Sequence, residues 1–176
     1  MGQVHDVITP ELANFVRAQK MFFVATAPLA GDGLVNLSPK GLDTLAVLDE
    51  RSVAYLDLTG SGIETAAYPK ENGRIVLMWF AFDGPPRIVR FHGRGEVIER
   101  DDAGFTELAA RFPPRIGARA VIRVDVKRVS TSCGFGVPLM DFRGERSTLD
   151  DACRKKGEDG LREYRDKKNR RSLDGL

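Results

Sequence analysis

The sequence has little of what most identifiable chemistry requires. Its 176 residues include only two cysteines, two histidines and one tryptophan. Cys133 and Cys153 stand far apart, so no Cys-x-x-Cys pair exists to hold zinc or run thioredoxin-like exchange. Two free thiols fit a reducing compartment better than a disulfide framework. His5 and His92 are too few and too separated for a histidine-rich metal cluster, and no metal is expected. There is no Gly-x-Ser-x-Gly elbow, no Walker phosphate loop and no dinucleotide-binding fingerprint. No window of 18 apolar residues exists to span a membrane. The first twenty residues lack the basic-then-apolar order of a signal peptide, so a cytoplasmic location is expected. Charge of one sign is also scarce: 27 Lys and Arg against 25 Asp and Glu leave a net +2, too small to argue for nucleic acid.

What is present suits a globular domain: 42% hydrophobic and 30% charged residues. The basic excess is local. From Arg154 to Arg171 there are nine Lys or Arg and four Asp or Glu. A solvated helix face accounts for this better than a nucleic-acid contact, which would need a stacking platform that Tyr164 alone does not provide.

Apolar periodicity gives an order of mixed elements. Thr9-Pro10-Glu11-Leu12 predicts a helix start, with Thr9 capping and Pro10 at the first helical position. Strands are predicted over 21–27, 34–38, 52–58, 74–82, 87–99 and 118–129. Pro39 is expected to end the second. Short helices are predicted from Ile63 to Tyr68, stopped by Pro69, and from Asp101 to Arg111. A longer one runs from Thr148 to Arg171, interrupted at Gly157 or Gly160. In the last predicted strand Ile122, Val124 and Val126 share one face, while Arg123, Asp125 and Lys127 share the other. Val121 and Val129 are apolar exceptions on the polar face. Gly93 and Gly95 suggest a bulge or bend at a barrel corner. No βαβ rhythm appears, and about six strands joined mainly by turns hide their edges by closing. The fold class is therefore mainly β, an antiparallel β-barrel with flanking helices. Residues 1–146 form the barrel with its N-terminal helix, and residues 147–176 form a helical extension packed on the same domain.

Three stretches combine anion-binding and planar-ligand features. Asn36-Leu37-Ser38-Pro39-Lys40-Gly41 puts a lysine at a strand end, a compact cation for phosphate. Thr59-Gly60-Ser61-Gly62-Ile63-Glu64-Thr65 offers hydroxyls before a helix whose first N–H groups favour an anion. It reads equally well as a serine-capped helix after a glycine turn. Arg87-Ile88-Val89-Arg90-Phe91-His92-Gly93 places two arginines three apart on a strand, where they face opposite ways. Trp79 and Phe80 can line a flat apolar pocket, or each can be core. Cys133 opens a two-glycine loop that covers a ligand or merely caps a barrel end.

Taken together with Phe22-Phe23-Val24-Ala25-Thr26, and with the second stretch extended back to cover Asp57 to Thr65, these stretches resemble the pyridoxamine 5'-phosphate oxidase-like split barrels, from about Phe22 through Val97 and more loosely over 118–129. The resemblance implies a six-stranded antiparallel split barrel of the FMN-binding type, a homodimer, and FMN at the dimer interface. By family pattern Lys40 is the basic residue near the phosphate. Ser61 and Thr65 lie in the phosphate segment, Trp79 is the aromatic of the preceding strand, and Arg87 and Arg90 belong to the arginine strand motif. Ile88 stands where the oxidases carry a glutamine against the flavin ring. Glu64 replaces basic phosphate ligands, and the oxidases' C-terminal arginine-histidine substrate motif has no counterpart. The implied activity is flavin-dependent hydride transfer to or from a small molecule rather than pyridoxamine phosphate oxidation. The alternative is a non-catalytic protein binding flavin, deazaflavin or haem, with His92 as the candidate haem ligand. No catalytic residue is assigned.

Overall fold

The computed structural model describes residues 2–176. Its centre is one curled antiparallel sheet flanked by helices, the half-barrel form of a split barrel. In chain order the elements are β1 (Gln3–His5), α1 (Pro10–Ala18), β2 (Phe22–Thr26), β3 (Asn36–Lys40), β4 (Leu45–Val47), β5 (Ser52–Leu58), α2 (Glu64–Asn72), β6 (Arg74–Phe80), β7 (Ile88–Glu99), α3 (Phe105–Ala109), β8 (Ala118–Ser132) and α4 (Thr148–Lys168). The sheet order is β3-β2-β6-β7-β8-β5-β4, with β1 added to β8. All six predicted strands are present. The sheet has eight because two three-residue strands, β1 and β4, pair with the end of β8 and with β5.

Local chemistry explains most boundaries. Thr9 Oγ1 accepts from the Leu12 N–H at 3.3 Å, and Pro10 opens α1. Two prolines behave differently from expectation. Pro39 lies inside β3 rather than ending it, because β3 is an edge strand and pairs only with β2. Pro69 lies inside α2 rather than stopping it. The helix runs on to Asn72, where Gly73 takes a left-handed φ of 71° and donates its N–H to the Pro69 carbonyl. The third helix is shorter than expected, and α4 is broken at Gly157, where φ is 65°.

The core fills the concave side of the sheet. Trp79 stacks on Phe22 at 5.6 Å between centroids and meets Phe91 at 4.8 Å. Val24, Leu77, Val89, Ile122 and Val124 complete this layer, all fully buried. A smaller cluster of Ala54, Leu56, Phe112, Ala118 and Val121 packs on the opposite side of β5, so β5 is covered on both faces. That second cluster explains Val121, the first apolar exception on β8.

The second exception, Val129, follows from a bulge. His92 pairs with Arg128 and Gly93 with Val126, so Lys127 is an extra residue without a partner on β7. Alternation resets there, and Val126 and Val129 both enter the main core. Gly93 is required at this crossing. A Cβ on it would collide with the Asp125 carbonyl and lie 2.9 Å from Val124 Cγ1.

Candidate functional site

A second bulge builds the polar centre of the molecule. On β8, Ala120 pairs with Asp57 and Ala118 with Leu58, leaving Arg119 unpaired between them. The extra residue turns its side chain inward, and three successive residues, Ala118 to Ala120, are buried. Arg119 Nε donates to Asp57 Oδ2 at 2.7 Å. From the end of β3, Lys40 Nζ donates to Asp57 Oδ1 at 2.9 Å. Asp57 has no exposed surface and so takes two cations, one on each oxygen. Burial pushes its pKa up, but the attraction and hydrogen bonds of Lys40 and Arg119 outweigh this and hold it below the ordinary 3.8. Above the same centre Lys40 lies 5.8 Å from the Tyr55 ring. The buried Tyr55 hydroxyl has no partner among the described residues. Burial, then the Asp57 charge, keeps it well above 10.

Lys40 is 17% exposed, and one of its three ammonium donors is committed to Asp57. It lines two adjoining cavities. The larger, about 430 Å³, opens between the ends of α1 and β3 and the loop after β8, with Phe82, Met140 and Phe142 as apolar walls and Lys20 and Glu145 at its margin. The smaller, about 230 Å³, lies between Lys40, Leu56, Thr59, Gly60 and Leu149. A 430 Å³ cleft falls within the range that holds small organic ligands. Its aromatic walls and neighbouring cation give it the chemistry to take a flat ring with a negative group beside it.

The other expected residues are distributed more widely. Ser61 is exposed on the loop before α2, one residue beyond the wall of the smaller cavity. Thr65 is buried in the first turn of α2. That turn has no side-chain cap. Residues near the C-terminus reach it instead: Arg165 Nε donates to Thr59 Oγ1 at 3.0 Å, Asn169 Nδ2 to the Gly60 carbonyl at 3.0 Å, and the Leu173 N–H to Glu64 Oε1 at 3.2 Å. Glu64 is thereby turned to the C-terminal segment. Trp79 is 1% exposed, inside the aromatic core. Arg87 pairs with Glu11 at 2.6 Å and lies over the Phe15 ring, which ties it to α1. Arg90 Nη1 donates to Ser132 Oγ at 3.1 Å across to β8. Neither arginine lines the 430 Å³ cleft. His92 Nδ1 is buried without a partner among the described residues, and burial, then the Arg128 and Arg90 charges, lowers its pKa.

Sequence reasoning did not single out Asp57, Arg119 or Arg165. The only signal for Arg119 was a charge inside an otherwise apolar run, Ala118 to Ile122. Its inward turn depends on a bulge that alternation alone does not locate.

Comparisons with known proteins agree on this architecture. The family model described as pyridoxamine 5'-phosphate oxidase matches residues 8–133. The pyridoxamine 5'-phosphate oxidase family protein ustO of Aspergillus flavus is 39% identical over 191 aligned positions, covering 98% of this chain and 76% of that protein. Among solved structures, HupZ of Group A Streptococcus superposes with a TM-score of 0.55 at 22% identity, over 71% of this chain and 99% of that one. A FAD-binding protein from Mesorhizobium loti gives 0.51 at 16% identity, over 74% and 96%. At these identities the two structures speak for the fold.

Proposed function

Because the chain belongs to the pyridoxamine 5'-phosphate oxidase family, whose members have a general flavin-binding, oxidoreductase-like role, we propose that it is an FMN-dependent oxidoreductase acting on a small molecule. The observation that carries this reading is the 430 Å³ cleft with Phe82, Met140 and Phe142 on its walls and Lys40 at its edge. The flavin would supply the hydride chemistry. Lys40 would hold the negative part of the cofactor with its two uncommitted N–H donors, and Asp57 would keep that ammonium in place. Ser61, on the loop beside the smaller cavity, would add a hydroxyl donor, while the buried Thr65 lines neither cavity and would act by fixing the first turn of α2. Phe82 and Phe142 would exclude water from the ring.

Arg87 and Arg90 lie outside this cleft on one chain, so their part in cofactor binding requires a second subunit. A homodimer belongs to the proposal for that reason. Exposed apolar residues support it: Leu34, Val35 and Leu37 on and beside the edge strand β3, and Phe135, Leu139, Met140 and Phe142 in the loop after β8. Trp79 would act by holding the sheet under the cleft. Among the described residues no helix is long and apolar enough to cross a membrane; a cytoplasmic location is part of the proposal.

The test is purification without added cofactor, a visible spectrum, and titration of the stripped protein with FMN. A yellow protein, or one that binds FMN and is then reduced by a nicotinamide cofactor, is the expected result. A deazaflavin or haem spectrum would replace FMN with that group. A colourless protein that binds none of them refutes the reading. Light scattering on the same sample should give twice the chain mass.

A further inference from the structure

The link between β3 and β4 is strained, and it borders the site. Leu42 and Asp43 follow one another at left-handed φ values of 63° and 54°. They are the only non-glycine residues at positive φ among the described residues. Such residues persist only where the surrounding structure holds them, and they gather at ligand clamps and switches. Three hydrogen bonds hold this turn. Thr44 Oγ1 donates to the Gly41 carbonyl at 2.7 Å, and the Leu56 N–H donates to the Thr44 carbonyl at 2.9 Å. The third comes from the segment between α3 and β8, where Arg115 Nη2 donates to the Leu42 carbonyl at 2.7 Å.

Arg115 is itself firmly fixed. Pro113 and Pro114 stiffen the chain before it, and its carbonyl accepts from the Ala118 N–H at 3.1 Å. Its Nη1 donates to Asp150 Oδ2 at 2.5 Å, in the first turn of α4, a partly buried charge-assisted bond. The strained turn is therefore fastened to α4 through one guanidinium. What the turn borders gives this fastening a use. Gly41 lines both cavities that share Lys40, and Leu42 lines the smaller one. The rest of α4 acts on the same small cavity. Leu149 lines it directly, and Arg165 and Asn169 hold two more of its lining residues, Thr59 and Gly60, at 3.0 Å each.

We propose that Arg115 is a positioning residue for the Lys40 site. By tying the strained turn to α4 it fixes the wall that the two cavities share, and ligand affinity at Lys40 depends on that tie. Its effect on binding rests on the flavin reading above, whereas its hold on the turn does not.

Two measurements on the full chain test this. Amide hydrogen exchange without ligand reads the turn through the Leu56 N–H. Arg115→Gln should speed exchange there about tenfold, the scale of one strained residue released, with the amides between β6 and β7 unchanged. Adding Asp43→Gly should slow it again, because glycine takes a left-handed φ without strain. Adding Asp43→Ala, which removes the same charge, should not. Titration with FMN reads the site. Arg115→Gln should raise Kd about tenfold, the value of one charged hydrogen bond, and Asp43→Gly should recover most of that loss. Asp150→Asn should act in the same direction by a smaller factor, and it decides both readouts should Arg115→Gln not fold. An unchanged Leu56 amide, exchange speeded equally across the sheet, equal rescue by alanine and glycine, or unchanged FMN affinity would overturn the proposal. An unaltered protein that binds no FMN refutes the flavin reading instead, and the exchange result still decides whether Arg115 holds the turn.

Discussion

Replacing Asp57 by asparagine probes the polar centre, because the side chain keeps its shape while losing its charge and one of its two acceptor oxygens. The two cations respond unequally. Lys40 is 17% exposed and can turn its ammonium to water, whereas the Arg119 side chain is 7% exposed and stays where it is. Removing one partner of a buried pair costs about 3–5 kcal/mol, most of it the penalty for the charge left behind. Since only one cation is stranded, the expected loss for Asp57→Asn at pH 7 is about 3 kcal/mol, which in a domain of this size lowers the melting temperature by roughly 6–12 °C. The assay is urea unfolding followed through Trp79, the single tryptophan. The pH dependence supplies a second check. The folded pKa of Asp57 lies below 3.8, so its contribution is fully present above 3.8 and disappears as pH falls through the lower folded value. The gap between the unaltered protein and Asp57→Asn should therefore be constant from pH 7 to 5 and narrow below 3.8. A loss under about 1 kcal/mol at pH 7, or a gap that does not narrow in acid, would refute this account of Asp57.

Other outcomes follow from single sites. Gly93→Ala should destabilise by about 1–3 kcal/mol in the same denaturation assay, because the new Cβ meets backbone of β8 that cannot yield. His92 has a lowered pKa, so its neutral form stabilises the fold above 6.5 and that contribution is lost as pH falls below it; His92→Gln should abolish this part of the pH profile between 7 and 5, as measured by thermal melts. Tyr68 is buried and its hydroxyl donates to Asp174, which together raise its pKa to about 12. An ultraviolet titration should find one tyrosine ionising there in the intact protein and earlier in Asp174→Asn. Cys133 is exposed and Cys153 is buried with a raised pKa, so iodoacetamide should label one thiol per native chain, located by peptide mapping at Cys133.

The periodic parts of the fold were legible because burial there is one-sided. The alternation of Ile122, Val124 and Val126 with Arg123, Asp125 and Lys127 survives intact in β8. Thr9 and Pro10 place the start of α1, and all six predicted strands are present, with β3 shifted two residues along to Asn36–Lys40. What escaped has a common origin in pairing. Whether Pro39 ends a strand depends on whether a neighbouring strand needs the N–H donor that proline lacks, and the sheet order decides that. Arg119 and Val129 owe their inward orientation to bulges set by the register of β8 against β5 and β7. At the candidate site, Lys40 was readable as a cation at a strand end, while the carboxylate that fixes it arrives from a strand 17 residues away. Arg87 and Arg90 were grouped with Lys40 by motif, yet on this chain the strand between them carries both away from its cleft.

The grip of the C-terminal segment on the loop before α2 sets a timetable for the nascent chain. The Leu34 N–H is bonded to Asp174, 140 residues later, and Thr59, Gly60, Glu64 and Tyr68 wait for partners between 165 and 174. At roughly 5–20 residues per second, translation leaves the segment before β3 without its partner for roughly 7 to 28 s and the entry to α2 without its partners for roughly 5 to 22 s. During that interval the exposed apolar edge of β3 faces the cellular milieu beside an unfinished loop, which makes it the stretch where a chaperone or an aggregating neighbour meets this protein first.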